Sequence, residues 1–486
     1  MQDVSLSLSE LKKLSEKYNY VPIFSKIKKD KNSPVSIYKK LKDTAYTFLL
    51  ESVEGNKNVA RYSFIGLNPK EVLRTGDQEN YSNVDPLTIL EKKIANIEQP
   101  KELGLPKFNG GAVGFLSYEA ISYFEPSVQK IKESLAYFPE SIFMIGSSLI
   151  IFDHEEDCIF LVSHADLRTN ININLIYEKC LLEIENLTSK ISNETSESTI
   201  NKLPNNLNVE HITDKNDFKE AVIDTKNLIY QGEMIQTVLS QKLKVKTNSS
   251  AINIFESLRN VNPSPYMFLL DLKDFQIIGS SPELLIKLDE GTIAVHPIAG
   301  TRPRGKNEIQ DSNLEKELLN DEKEVSEHLM LLDLGRNDLG RIAKPGTVKV
   351  TQQMEIEKYS HVMHIVSHVE ALLDKQFNAF DVLRSAFPAG TVSGAPKVRA
   401  MKQIASKEKF QRGPYSGAVG YFSFDGDLDT AIAIRTIILK DKIAYLQSGA
   451  GIVADSDPDM EHEECLAKMG ALLKALEYAK EQESSE

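Results

Sequence analysis

Cysteine is scarce in this chain: of 486 residues only Cys158, Cys180 and Cys465 are cysteine, far apart and with no C-x-x-C pair. That excludes a disulfide framework and a zinc knuckle and suits a reducing compartment, so the cytoplasm is the expected location. Positive charge is also in short supply. With 57 Lys and Arg against 70 Asp and Glu, the net charge is −13, and no long basic run concentrates what there is. Nucleic-acid phosphate needs a concentrated patch of Lys and Arg, so no nucleic-acid partner is expected. Long apolar runs are missing as well. The opening "MQDVSLSLSELKKLSEKYNY" is broken by charge every few residues, which speaks against a signal-peptide core and a membrane span. The most apolar stretch, "SIFMIGSSLIIF" at 141–152, contains Gly and Ser and reads as core strands.

What is present suffices for a large core, since 41% of the residues are hydrophobic. Around 188–210 the chain turns rich in Ser, Asn, Thr and Glu and loses periodicity, which predicts a solvated connector between an N-terminal lobe (1–187) and a C-terminal lobe (211–486). The first lobe alternates short β-like runs with helical stretches. The second opens on the helical pattern "DFKEAVIDTKNLIYQGE". The lobes share one echo, "GGAVGFLSYE" at 110–119 and "SGAVGYFSFDG" at 416–426, for which close strand packing is a simpler explanation than duplication.

Several stretches carry chemistry. "VHPIAGTRPRG" at 295–305 brings Thr301, Arg302 and Arg304 together in an acidic chain, as an anion site would require. In "DEKEVSEHLMLLDLGRND" at 321–338 the period is helical, with Val325, Leu329 and Leu332 as the apolar stripe and Glu324 and Glu327 three apart on a neighbouring face. A second such pair, Glu461 and Glu464, follows a helix start at Asp457 and Pro458, and Lys468 lies one turn beyond Glu464. If the pairs converge, four oxygen ligands with no His or Cys suit Mg²⁺ better than zinc. "HVMHIVSHVE" predicts a strand with His361 and His364 on opposite faces, so one histidine at most faces a pocket. "FPAGTVSGAPKVRAM" and "QSGAGIVADSD" are glycine loops able to offer backbone N–H groups to an anion, though neither is a Walker loop or a dinucleotide fingerprint.

The ordered series "GSSPELL", "HPIAGTRPRG", "EKEVSEHLMLLDLGRND", "YSHVMHIVSHV", "FPAGTVSGAPKVRAM", "RGPYSGAVGYF", "IAIRT" and "QSGAGIVADSDPDMEHEEC" resembles the chorismate-utilising enzymes, and among them anthranilate synthase component I. "LLES" and "RYSFIGLNP" extend the likeness into the N-terminal lobe. The resemblance implies an α+β fold in which both lobes contribute strands to one large antiparallel β-sandwich with helices outside. It implies a reaction in which chorismate and ammonia give anthranilate and pyruvate, the committing step toward tryptophan. By the same resemblance Gly300, Thr301 and Thr391 border the ring, Tyr415, Arg435 and the Gly449-Ala450-Gly451 backbone take the enolpyruvyl carboxylate, and Lys468 belongs with the substrate-binding residues. Glu283 is the candidate acid and His364 assists the ring chemistry. Glu324, Glu327, Glu461 and Glu464 form the Mg²⁺ face, which must carry a cation if four glutamates are to meet a carboxylate.

Two related activities use a lysine, at positions that are Gln236 and Ala299 here. Their absence favours ammonia itself as nucleophile over aminodeoxychorismate synthase component I, and the intact acidic and glycine motifs disfavour a non-catalytic amino-acid sensor on the same fold. No cysteine stands in a G-x-C-x-G nucleophile setting, so ammonia is expected from a glutamine amidotransferase partner. The resemblance also assigns Glu51, Ser52, Pro265, Tyr266 and Met267 to a pocket for tryptophan as feedback inhibitor.

Overall fold

The β-branched and aromatic runs fold as strands, as their residue types favour. "SIFMIGSSLIIF" becomes Ser141–Ile145 and Ser148–Asp153, turned at Gly146 with φ of 65°. The computed structural model describes residues 4–41, 45–53, 61–101, 103–168, 172–192, 207–359 and 362–479. Within them the strands build two antiparallel sheets, one of 12 strands and one of 10.

Both sheets cross the expected lobe boundary. In the larger, Thr47–Glu51 pairs with Tyr266–Asp271, Glu51 opposite Met267. In the smaller, Gly111–Leu116 pairs with Ala418–Ser423, Gly114 opposite Gly420. The two halves of the sequence echo are therefore neighbouring strands. A Cβ on Gly114 would lie 1.9 Å from the Ile142 carbonyl oxygen and one on Gly420 2.1 Å from that of Asp429. Close strand packing accounts for both glycines.

Alternation along each strand then divides the core. Phe48, Phe268 and Ile438 of the larger sheet meet Phe115, Met144 and Val419 of the smaller in one buried cluster between the sheets. Their sequence neighbours face outward to helices: Leu49 and Leu269 cluster with Phe255, Ile184 and Leu472, whereas Leu116 and Phe143 cluster with Leu90 and Leu383. The resulting α+β sandwich with helices outside is the expected architecture.

Two local expectations change. The segment read as connector from residue 188 is still helix until Ser192, because Leu187 and Ile191 are buried and extend the apolar face of Ile173–Ser192. A strand resumes at Val209–His211, and residues 193–206 of the expected connector lie outside the described residues. In the helix Glu322–Gly340, Leu329 is 41% exposed and the buried face runs instead through His328, Leu331, Leu332, Gly335 and Leu339. His328 turns inward because its Nε2 lies 2.6 Å from the buried Ser367 Oγ, and Gly335 lets the helix approach Val295 and Pro297.

The inter-sheet cluster carries a direct stability test. Phe268, 2% exposed, packs its ring over Gly279, where a Cβ would stand 2.1 Å from the ring. Phe268→Ala removes that ring from between the sheets, and the urea midpoint should fall by the equivalent of about 3–5 kcal/mol.

Candidate active site

The glycine-rich "QSGAG" is a strand rather than a loop. It forms the end of Ile443–Ile452, antiparallel to Gln236–Lys246, with Ser240 opposite Gly449 and Val238 opposite Gly451. Glycine is needed for close approach. A Cβ on Gly449 would lie 2.9 Å from the Leu239 carbonyl oxygen and 3.0 Å from the Tyr415 hydroxyl, and one on Gly451 would meet Gln236 Nε2 at 2.3 Å. Among the described residues the strand Thr436–Lys440 pairs with its other edge only as far as Leu446, so the backbone from Gly449 to Gly451 has no strand partner there. Lys468, on the helix Pro458–Tyr478, donates from Nζ to the Gly449 carbonyl at 3.1 Å and pairs with Glu464 at 2.6 Å. Arg435, in left-handed backbone at φ 50°, donates from Nη1 to the Lys468 carbonyl. Burial holds this guanidinium below its ordinary pKa, an environment that favours an incoming anion.

Glu283 occupies the short link between strands Gln276–Ser281 and Leu284–Asp289. It is 9% exposed, and burial pushes its carboxyl up to about 7, although the Thr391 hydroxyl and the Lys468 ammonium pull the other way. Thr391 lies in the turn Gly390–Val392 with its buried Oγ1 within reach of that carboxyl but outside hydrogen-bond geometry. A carboxyl that is about half protonated near neutral pH is suited to give a proton away.

The second wall pairs Ile298–Pro303 with Val362–Leu372, Thr301 opposite His364. A bulge at Gly300, with φ of 70°, aims its carbonyl at the histidine. His364 Nδ1 lies 2.9 Å from that carbonyl and 3.1 Å from Thr301 Oγ1. A carbonyl only accepts, so Nδ1 carries the proton and Nε2 is left with the lone pair. Burial, and then the nearby Arg435 charge, lower the pKa of His364. His368 is instead turned to Glu370 at 2.9 Å, and His361 lies outside the described residues.

The acidic pairs are presented as expected, each on one helix face. Burial and the neighbouring Glu327 raise the pKa of Glu324; burial and the neighbouring Glu464 raise that of Glu461. Gln236 Nε2 donates to Glu327 Oε1 at 3.2 Å, which ties the first pair to Gly451 and the glycine strand. Among the described residues, however, no three His, Cys, Asp or Glu side chains stand close enough to hold a metal ion, so the four glutamates form two pairs rather than one closed shell. The arginines of "TRPRG" also differ from expectation. Arg302 contacts Asp321 at 2.8 Å and Glu324 at 3.4 Å, and Arg304 contacts Asp311 at 2.9 Å. Both charges serve internal carboxylates, because the flanking helices place acids within their reach.

The segments carrying Glu51, Ser52, Pro265, Tyr266 and Met267 are likewise brought together, by the pairing of Glu51 with Met267 and by Val53 N–H donating to the Ser264 carbonyl at 3.2 Å. Glu51 is 5% exposed, and its Oε2 lies 3.4 Å from Arg259 Nε without hydrogen-bond geometry. Burial keeps its pKa raised. The buried ionic group behind Tyr415, formed by Arg412, Glu408, Glu119 and Lys242, was not singled out in the sequence. Its only trace there is the "RG" that opens "RGPYSGAVGYF".

A chain with this arrangement has close counterparts. The sequence model of the chorismate binding enzyme family matches residues 45–474. Anthranilate synthase component 1 of Acetivibrio thermocellus is 44% identical over 492 residues, covering 98% of this chain and 99% of the relative. That of Aquifex aeolicus is 42% identical, with 99% of each chain covered. The crystal structure of anthranilate synthase component I from Streptococcus pneumoniae superposes with a TM-score of 0.76 at 34% identity, over 92% of this chain and 99% of that one. With a family match along most of its length and such relatives end to end, the chain belongs to the chorismate binding enzyme family.

Proposed function

We propose that this chain is the chorismate-aminating component of an anthranilate synthase, converting chorismate and ammonia to anthranilate and pyruvate. The observation that carries this reading is the buried Glu283, poised near neutrality beside Thr391, Lys468 and the glycine strand. Chorismate carries two carboxylates. The enolpyruvyl one fits the backbone edge from Gly449 to Gly451, with Arg435, Lys468 and Tyr415 around it. The ring lies toward Gly300, Thr301 and His364. Ammonia adds at ring carbon 2 and the 4-hydroxyl leaves, taking the Glu283 proton so that water rather than hydroxide departs. Loss of pyruvate and of the carbon-2 hydrogen then restores aromaticity. Gln236 and Ala299 supply no amine of their own, which favours free ammonia as nucleophile.

The four glutamates suit Mg²⁺, which prefers oxygen ligands, and Glu324, Glu327, Glu461 and Glu464 would hold it. Burial, and beside it the neighbouring like charge, raises the pKa of Glu324 and of Glu461, and a divalent ion would offset both effects. Bound there, Mg²⁺ would supply the positive charge that lets the ring carboxylate sit beside four acids. All three cysteines are buried, and burial pushes Cys465 up to about 12, so none is placed as a thiolate nucleophile for glutamine. This supports ammonia delivery by a separate glutamine amidotransferase component, with the assembly working in the cytoplasm.

Tryptophan inhibition is the regulatory part of the proposal. The buried Glu51 carboxylate offers an acceptor for an amino-acid ammonium, and the pocket's loop is wired to the substrate wall through Ser280. Asn262 Nδ2 donates to Ser280 Oγ at 2.6 Å and Ser264 Oγ to the Ser280 carbonyl at 3.1 Å, while Ser280 N–H donates to the Arg435 carbonyl at 3.1 Å.

The defining experiment is anthranilate fluorescence on mixing the purified chain with chorismate, ammonium and Mg²⁺. Signal is expected with all three and none after EDTA; its absence with all three overturns the reading. The acid has its own signature. Because the Glu283 pKa is raised and the protonated form donates, kcat/KM should decline as pH rises through about 7, and Glu283→Gln should lose turnover at least 100-fold, the lower range for a positioned acid. Ser52→Phe should fill the inhibitor pocket, so that tryptophan no longer slows a variant whose uninhibited rate is near that of the parent. Unchanged inhibition would put the pocket elsewhere.

A further inference from the structure

We propose that Arg412 is a positioning residue for the substrate pocket, setting where Thr391 and Tyr415 stand relative to the glycine strand. The inference rests on the reading of that pocket as the chorismate site. The Arg412 side chain is completely buried, at 0% exposure. Its five N–H donors meet five acceptors. Nε reaches Glu408 Oε2 at 2.9 Å; Nη1 reaches the Val392 carbonyl at 2.7 Å and Ser416 Oγ at 3.2 Å; Nη2 reaches the Val238 carbonyl at 2.7 Å and Glu408 Oε1 at 2.6 Å.

These acceptors explain the assignment. Val392 directly follows Thr391, Ser416 directly follows Tyr415, and Val238 lies opposite Gly451 in the strand pair. One rigid planar group therefore sets the spacing of three segments: two carry the pocket residues Thr391 and Tyr415, and the third is the strand paired with the glycine strand. The guanidinium also lies 4.7 Å from the Tyr118 ring and 5.6 Å from that of Tyr415. Glu408 is fixed in turn by Ser240, which donates from N at 3.0 Å and from Oγ at 2.8 Å. The first lobe contributes as well, since the Glu119 carboxylate accepts from the backbone N–H groups of Arg412 at 2.7 Å and Gly413 at 2.9 Å. A lysine would bring the same charge but only three donors radiating from one point, and could not span these acceptors.

A purely structural role would lower stability and leave substrate affinity of the folded protein alone. The test is therefore steady-state kinetics with chorismate, ammonium and Mg²⁺ on Arg412→Lys and Glu408→Gln, below the melting temperature that circular dichroism gives for each. We expect KM for chorismate to rise tenfold or more in Arg412→Lys and several-fold in Glu408→Gln, with kcat falling less. A cavity of about 340 Å³ is lined in part by Arg412, Glu119, Lys242 and Tyr415. Methylguanidinium added to Arg412→Ala should enter it and bring KM back toward the parent value. A folded Arg412→Lys with parental KM overturns the proposal, as does methylguanidinium that restores the melting temperature but not KM. Should Arg412→Lys fail to fold, KM in Glu408→Gln decides in the same way. A parent protein inert in this assay sinks the chorismate reading itself, whereas an active parent with unaffected variants sinks only the role of Arg412.

Discussion

A cation removed from water must find every one of its hydrogen-bond partners inside the protein, and Arg412 imposes that condition on the surrounding fold. Breaking a buried ion pair by removing one partner typically costs about 3–5 kcal/mol, because the other charge is left uncompensated. Glu408, Ser416 and the carbonyls of Val238 and Val392 therefore have little freedom to move. Lys397 imposes a similar condition a few residues away, donating to Asp338 at 2.8 Å and to the Ala386 carbonyl at 3.0 Å. Between them these cations anchor the segment 386–397 that carries Thr391. Lys242, half-buried in the same region, has its pKa lowered by burial despite the nearby Glu408 and Glu119 carboxylates. An acidic protein thus invests several of its positive charges in scaffolding behind the pocket.

That division of labour explains which motif residues were legible beforehand. Glycines and helix caps follow local rules. Asp457 and Pro458 start their helix as their types dictate, and Gly449, Gly451, Gly114 and Gly420 each relieve a close approach. The i, i+3 spacing alone put each glutamate pair on one face. Arginines have longer reach and several possible partners, so their use depends on tertiary placement. Local sequence points Arg302 and Arg304 toward an external anion, yet they meet internal carboxylates, while nothing local marks Arg412, which makes five side-chain hydrogen bonds. Leu329 shows the same limit at smaller scale: a helical period finds a stripe, but the buried hydrogen bond of His328 and the bare surface of Gly335 decide which stripe turns inward.

The pocket joins opposite electrostatic demands. Arg435 and Lys468 stand beside the glycine strand, and the acids reach the same place, since Lys468 pairs with Glu464 at 2.6 Å. Glu283 feels the Lys468 ammonium yet stays near neutrality, because desolvation outweighs that attraction. Had the attraction won, the carboxyl would be ionised at every physiological pH and useless as an acid. Its place in a two-residue link between buried strands is what tips the balance.

The pairing of Glu51 with Met267 and of Gly114 with Gly420 ties residues more than 200 positions apart into single sheets. Neither lobe can therefore complete its sheet alone. As the chain leaves the ribosome, the early strands Thr47–Glu51 and Gly111–Leu116 emerge with an unpaired edge that stays open until their partners are made. At about 5–20 residues per second that wait lasts some tens of seconds, a window in which exposed strand edges invite association with other chains. The same interleaving that joins both lobes in one sandwich leaves the early strands of the nascent chain waiting on the late ones.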